Sequence, residues 1–401
     1  MENSATNALA ENNTERFAHP FFNNAAPEER AAVDGMFRMT DHIKTKLESI
    51  PKVKGDSVIT LKEIIGAAGA DAIEKSKSIS FHSVGDTGHE NGVAEELVAD
   101  AMTGDYNISK PEKSPAFFLH LGDVIYYDNT DKGYHAQFYV PYKKYPGKII
   151  AIPGNHDGEL FKFDQTSTGQ KKTLEAFQNN FCRPAPAHVS SGTILRDMVS
   201  QPGVYWMLDA PFVNIIGLYS NIAENPGYLQ GNDIGDAQKK WLTKTLAAIK
   251  KKRDNGDNKA LIIAVHHPPI SKGNHSSSTE MLADIDDSCN KSGIMPDAVL
   301  AAHAHSYQRF TRFITFNGNK MEIPFIVAGS GGRGLSPHLT KATGAKEGDH
   351  TYDKSLKGFG YLTVNVTATT LKFDFFEVDK DTGKKKLFDK ISVNLKTHKV
   401  Q

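Results

Sequence analysis

The sequence predicts an α/β fold in which buried parallel strands carry polar side chains to a common crevice. Three observations lead there. First, short apolar runs end repeatedly at a turn and a polar cluster: Ala116–Leu119 before Gly122-Asp123, Lys148–Ile152 before Gly154-Asn155-His156, Leu261–Val265 before His266-His267-Pro268, and Ala298–Ala302 before His303. Runs of that length and polarity are the expected form of inner parallel strands. Second, helical periodicity lies between the first of these strands, giving strand–helix–strand order. Third, the tail alternates at Tyr361, Thr363 and Asn365, at Leu371, Phe373 and Phe375, and at Ile391 and Val393, which suits antiparallel strands of a second sheet. In open α/β sheets, ligands collect beyond the carboxyl ends of strands, so the polar clusters define a candidate site.

Taken in order, residues 1 to about 25 are rich in Asn, Ala and Glu and show little periodicity, so no ordered core is expected there. From Pro27 to Pro51, Val33, Met36, Phe37, Ile43, Leu47 and Ile50 recur at helical steps, and Val58 to Glu74 repeats the pattern with Leu61, Ile64, Ile65 and Ala68. Residues 1–77 therefore read as a polar segment followed by accessory helices, and residues 78–401 as the main domain. That domain opens with the strand Ile79–Val84, which runs into Gly85-Asp86-Thr87-Gly88. A helix over Gly92–Met102 follows, and then the strands ending at Asp123 and Asn155. Thr173–Phe181 and Gly235–Lys251 read as helices, with Trp241, Leu242, Leu246 and Ile249 on the apolar side of the second. Val204–Leu208, Val213–Leu218 and Phe325–Val327 read as strands.

Composition excludes several classes. The 401 residues carry 47 basic and 47 acidic side chains, so no net field draws the chain to nucleic acid or anionic lipid. No apolar run approaches the roughly 20 residues of a membrane-spanning helix. The start, Met1-Glu2-Asn3-Ser4, lacks the apolar region of a secretory signal, although a cleaved signal leaves the same appearance. Cys182 and Cys289 cannot form a disulfide framework; one bridge and two free thiols both remain open.

The strand ends carry Asp86; Asp123 with Tyr126; Asn155 with His156; His266; and His303 with His305. Oxygen and imidazole donors arriving from separate strands suit a pair of transition-metal ions, and the absence of cysteine beside them argues against structural zinc. In sequence these residues stand as Gly85-Asp86-Thr87-Gly88, Gly122-Asp123-Val124-Ile125-Tyr126, Gly154-Asn155-His156-Asp157, Ile263-Ala264-Val265-His266 and Ala302-His303-Ala304-His305. In that order they resemble the motif blocks of the calcineurin-like metallophosphoesterases and, among these, of the purple acid phosphatases. Only Ala302 departs, standing where the family keeps glycine.

The resemblance implies a four-layer α/β/β/α sandwich with two mixed sheets. It implies one metal held by Asp86, Tyr126, His305 and a share of Asp123, and a second held by Asn155, His266, His303 and the other share. The Tyr126-bound ion would be Fe3+, and the second a divalent iron, zinc or manganese. Asn155, His156 and His275 would contact a small phosphorylated substrate, with His156 on the phosphoryl group. His275, nine positions beyond His266, would assist the leaving group, and Asp157 would hold the His156 imidazole. The implied reaction is hydrolysis of phosphomonoesters by a metal-bound hydroxide. A phosphodiesterase or nucleotide hydrolase on the same site is the alternative, since specificity resides in surface loops. A catalytically silent phospho-ligand-binding protein is the alternative of another class; its mark would be a missing ligand, and the quoted blocks keep them all. The resemblance also implies an exported protein with its signal removed, with a cytoplasmic location left open.

Other polar residues have plainer readings. His82 and His120 alternate along strands as satisfied interior residues, and His89 and His267 lie beside the motifs but off the ligand positions. Tyr127 is one position out of register. The turn Gly329–Gly334 is equally a phosphate cradle or a plain tight turn. Arg333 and the Asn221–Asn232 loop with Tyr228 are candidate substrate contacts.

Overall fold

The apolar runs are strands, but they divide between two sheets. The structure is a computed structural model and describes residues 47–88, 92–107, 109–160, 169–184, 196–273 and 275–401. One sheet has seven strands in the order β16 (Lys399–Val400), β15 (Lys385–Asn394), β14 (Thr370–Val378), β13 (Phe359–Thr367), β2 (Ser78–Val84), β3 (Phe117–His120) and β4 (Lys148–Ala151). The other has nine: β1 (Val58–Thr60), β5 (Trp206–Ala210), β6 (Val213–Leu218), β7 (Ala260–Val265), β8 (Ala298–Ala301), β10 (Asn319–Ala328), β9 (Tyr307–Phe316), β12 (His350–Leu356) and β11 (Lys346–Glu347). In the first sheet β2, β3 and β4 run parallel, and in the second β6, β7, β8 and β10 do.

The tail strands do not make a sheet of their own. Leu362, Val364 and Val366 alternate inward along β13, which pairs antiparallel with β2 and so extends the sheet of β2–β4. The two sheets pack face to face: Phe81, Phe117, Leu119 and Ile150 share one buried cluster with Ile215, Ile262, Ala264 and Leu300. The alternate residues of the same strands point outward. Phe118, Ile149 and Ala151 are covered by Val98, Ala99 and Met102 of α2 (Val93–Thr103) and by Phe177 and Phe181 of α3 (Glu175–Phe181). On the opposite outer face, Leu242, Leu246 and Ile249 of α4 (Ala237–Asp254) and Met281, Ile285 and Cys289 of α5 (Thr279–Ser292) cover Leu261, Ile263 and Val299. The result is helix, sheet, sheet, helix: the α/β/β/α sandwich with two mixed sheets. Strands buried on both faces are why their sequences read as unbroken apolar runs.

The helix expected from Pro27 lies outside the described residues except at its end, where Leu47–Pro51 is not helical and Leu47 packs on Ala223 and Ile234. The helix expected from Val58 starts later. Val58–Thr60 forms β1, paired in parallel with β5, and α1 (Leu61–Ser76) follows with a kink at Gly66 (φ +80°). Its Leu61, Ile64, Ala70 and Ile73 join the inter-sheet core. Cys182 and Cys289 are free, buried in separate clusters, and burial pushes each thiol up to about 12. Among the described residues no helix is long and apolar enough to cross a membrane.

Candidate metal centre

The carboxyl ends of β2, β3 and β4 from one sheet meet those of β7 and β8 from the other. Backbone hydrogen bonds stitch the turns together: Asp86 N–H donates to Gly122 O (3.0 Å), Gly85 N–H to Ala328 O across the two sheets (3.0 Å), and Ala302 N–H to His266 O (2.9 Å). Asp86, Asp123, His303 and His305 all sit at positive φ, between +41° and +67°. Four non-glycine residues held in that region within one site is how stored backbone strain clusters at functional centres.

The predicted ligands converge. Asp123, His266 and His303 bring donor atoms within 4.8 Å of one another, as do Asp86, Asp123 and His305, so Asp123 belongs to both groups. Tyr126 Oη donates to Asp86 Oδ1 (3.1 Å) and lies 3.0 Å from His305 Nε2, which adds a phenol to the Asp86 group. Asn155 Oδ1 lies 3.2 Å from His266 Nε2, which adds an amide oxygen to the His266 group. Two sets of four donors sharing one carboxylate fit two neighbouring cations.

The orientation of the rings supports the same division. His266 Nδ1–H donates to Leu121 O (2.8 Å), leaving Nε2 beside Asp123 Oδ2 at 3.2 Å. His303 uses the opposite nitrogen: Nε2–H donates to Glu224 O (2.6 Å), leaving Nδ1 for an ion. Asn155 Nδ2 points to Glu224 Oε2 (3.5 Å), which turns its carbonyl oxygen toward the centre.

The buried carboxylates, phenol and imidazoles shift one another's protonation. Burial disfavours the ionised form of Asp123, yet the His266 and His156 imidazoles hold it below the ordinary carboxylate range. His266 is opposed by burial but raised to about 9 by Asp123. Burial, then Asp123 and Asp86, push the Tyr126 phenol well up. Burial and then the neighbouring imidazoles of His267 and His275 push His303 well down, which keeps it the neutral base a metal requires. A metal held by these donors favours the deprotonated forms of His266 and Tyr126.

The His156 ring lies 4.4 Å from the Tyr126 ring, tilted by 45°, and its backbone N–H donates to Asp123 Oδ1 (3.0 Å). The carboxylate on its imidazole is Glu159, at 2.9 Å from Nδ1. The expected role of Asp157 is therefore corrected. Asp157 faces away and accepts from the N–H groups of Gly154 (2.8 Å) and Val124 (3.1 Å), tying the Asn155 turn to the Asp123 turn. Burial, opposed by Glu159 and Asp123, leaves His156 raised to about 10. His275 meets His303 edge-on, with ring centres 4.3 Å apart and planes at 60°, and Asn225 Nδ2 donates to its Nδ1 (3.2 Å).

The plainer readings resolve as follows. His82 bonds Tyr145 Oη and Asp105, and His120 bonds Thr87 Oγ1 and Gly122 N–H, both fully buried. His267 bonds Ser220 Oγ (2.7 Å) and Ala223 O (2.7 Å), so it is a satisfied interior residue. His89 lies outside the described residues. The Gly329–Gly334 turn is not a free cradle. The N–H groups of Gly329, Gly331 and Arg333 bond Ser306 O, Gly85 O and Asp86 O, and a Cβ on Gly329 would come 2.4 Å from Asp86 Oδ2. The Arg333 guanidinium lies 4.6 Å over the Tyr126 ring at the mouth of the centre. Tyr228 is partly buried against the cluster of Leu47, Ala223 and Ile234. Ala302 is accommodated because its Cβ faces Gly85, where a second Cβ would be 2.7 Å away.

A calcineurin-like phosphoesterase family model matches residues 80–307, more than half of the chain. The chain belongs to the calcineurin-like phosphoesterase family. The match spans every ligand position described above. Among solved structures, GAP50, the anchor in the inner membrane complex of Plasmodium, shares 13% identity over 79% of this chain and 89% of its own, with a TM-score of 0.46. PhoD shares 12% over 81% and 71%, with a TM-score of 0.49. Vps29 from Entamoeba histolytica shares 10% over 79% and 100%, with a TM-score of 0.27. Likenesses at these values carry no argument about activity. No curated protein matches the sequence. Membership gives this calcineurin-like phosphoesterase the family's chemistry, hydrolysis of phosphoric esters at a dimetal site.

Proposed function

We propose that this protein is a binuclear-metal phosphatase acting on small phosphomonoesters, of the purple acid phosphatase kind. The observation that supports it most is the sharing of Asp123 between two donor groups, one of which includes the Tyr126 phenol. The residues would place Fe3+ with Asp86, Tyr126, His305 and Asp123, and a divalent iron, zinc or manganese with Asn155, His266, His303 and Asp123. Two cations so held would supply Lewis acidity toward a phosphoryl group and activate water for in-line attack.

The chain's own residues supply the rest. His156 is anchored through Nδ1 by the Glu159 carboxylate, which favours its protonated form, so Nε2–H would donate to a phosphoryl oxygen. His275, whose Nδ1 accepts from Asn225, keeps its proton on Nε2 and donates it as a hydrogen bond to the leaving oxygen. Asn155 contributes its amide both to metal binding and to the phosphoryl pocket. Arg333 adds a fixed cation at the mouth, favouring an anionic ester over a neutral one.

The test is turnover of a panel of phosphomonoesters and phosphodiesters by protein supplied with iron and with zinc or manganese. Faster hydrolysis of monoesters is the expected result; a preference for diesters or nucleotides overturns the substrate class, and full metal occupancy without turnover overturns the enzyme reading. Tyr126 gives an independent readout. The iron-loaded protein is expected to absorb in the visible through its phenolate, and Tyr126→Phe is expected to remove that band while the protein stays folded. A colourless, active, iron-free enzyme would overturn the ferric assignment and leave hydrolysis standing.

A further inference from the structure

We propose that Glu95, which lies outside every motif, is a positioning residue for the metal centre, acting through the Thr87 hydroxyl and the His120 imidazole. Glu95 sits in the first turn of α2 and is fully buried. Neither of its carboxyl oxygens makes a well-formed hydrogen bond among the described residues, although the Thr87 side chain lies beside them, and the Tyr142 hydroxyl is likewise unsatisfied. Buried polar groups left this way are rare and costly. The Thr87 hydroxyl is the polar group that both of them face.

The direction of the chain is fixed from the other end. Gly122 N–H donates to His120 Nδ1 (3.2 Å), so that nitrogen is an acceptor and the ring proton resides on Nε2. His120 Nε2–H then donates to Thr87 Oγ1 at 2.9 Å. With its oxygen already accepting, Thr87 has its own proton to give, and the neighbouring carboxyl of Glu95, otherwise unpartnered, is the acceptor the relay assigns to it. The relay therefore runs Gly122 N–H, His120, Thr87, Glu95.

Both residues that this relay braces precede a metal-ligand position or follow one directly. Gly122 leads into Asp123, and Thr87 follows Asp86 and donates its backbone N–H to Asp123 O (3.3 Å). The helix end carrying Glu95 is seated against the same turn that holds Asp86. A Cβ on Gly332 would lie 2.6 Å from Glu95 Cα, and one on Gly331 would lie 2.5 Å from Thr87 Cγ2. Asp86 and Asp123 are strained at positive φ, and a polar chain that locks the turns behind them keeps both carboxylates aimed at the ions.

The inference rests on the dimetal reading, and metal binding by the unaltered protein separates the two. Calorimetric titration of the metal-free full chain with Zn2+ is compared for wild type, Thr87→Val, Glu95→Leu, the double variant and Glu95→Gln, with circular dichroism reporting the fold. Thr87→Val and Glu95→Leu are each expected to weaken binding by about 10-fold, the lower end of the effect of altering groups behind metal ligands. The double variant is expected to lose no more than either single one, and Glu95→Gln, which still accepts from Thr87, to bind near wild type. Folded variants that bind Zn2+ as tightly as wild type overturn the relay, as does an equal loss in Glu95→Gln and Glu95→Leu. Should Glu95→Leu not fold, the isosteric Thr87→Val carries the test alone. A wild-type protein that binds no metal overturns the dimetal reading itself.

Discussion

Asp123→Ala is expected to empty both halves of the centre at once: metal content falls from two ions per chain toward none, and hydrolysis falls to background. Asp123 is the one carboxylate common to both donor groups. Its loss is expected to exceed the upper limit of roughly 100-fold in metal affinity seen for groups behind the ligands. Asp123 also holds His156, whose backbone N–H it accepts at 3.0 Å and whose positive charge it supports after Glu159. The variant therefore loses metal and loosens the proposed phosphoryl contact together. Elemental analysis alongside a phosphomonoester assay checks this, with circular dichroism to show that the fold survives. An Asp123→Ala protein that keeps two tightly bound ions and turns over substrate would refute the bridging role. His305→Ala, by contrast, removes a donor from the Asp86 group alone, so the His266 group is expected to keep its ion.

The contrast between what the sequence disclosed and what it hid follows from how each part of the site is made. The ligand positions were legible because each is a local unit: an apolar strand, a glycine-permitted turn, and a donor one or two residues later. The Asn221–Asn232 loop reads from sequence as a candidate substrate contact, but the part that the stretch from Ser220 to Asn225 plays in holding the histidines was not legible. That stretch fixes His267 through Ser220 Oγ and Ala223 O, His303 through Glu224 O, and His275 through Asn225. Two of those contacts are backbone carbonyls, which any residue supplies, so no residue type marks them. Glu159 was legible in principle, standing three positions after His156 on a helical turn. Asp157 was misread because adjacency in sequence placed it beside His156, whereas the turn sends successive side chains in different directions.

The fold divides in the same way. Strand and helix character came from periodicity, but the assignment of strands to sheets did not, since a strand buried on both faces looks alike in either sheet. β1 is three residues long and merges by eye with the helix that follows it. Helix α5 was overlooked despite Met281, Ile285 and Cys289 at four-residue steps and Gly293 in the left-handed cap at φ +71°. Its acidic, polar surface dilutes the apolar signal.

Gly154→Ala is the smallest substitution expected to have an effect comparable with losing a ligand. The glycine backbone here is unexceptional, at φ −93°, so conformational freedom is not the reason for glycine. Space is. A Cβ at Gly154 would lie 2.1 Å from Asp123 Oδ1, 2.4 Å from Asp123 N and 2.8 Å from Asp123 Cγ. None of these is the far end of a flexible side chain. Asp123 is pinned by its own left-handed backbone and by the His156 N–H, and Gly122 behind it has no room either, since a Cβ there would meet Gly154 N at 2.6 Å. The clash must therefore be relieved by moving one turn away from the other. Overpacking of this kind costs about 1–3 kcal/mol of stability. The larger consequence is geometric: any such movement carries Asp123 out of one donor group or the other, and Asn155, the next residue, out of the His266 group. The expected result is a folded protein with a modestly lowered melting temperature, at most one ion in place of two, and phosphoesterase activity near background. If Gly154→Ala retained two ions and wild-type turnover, the two turns could not be interlocked as closely as their contacts require.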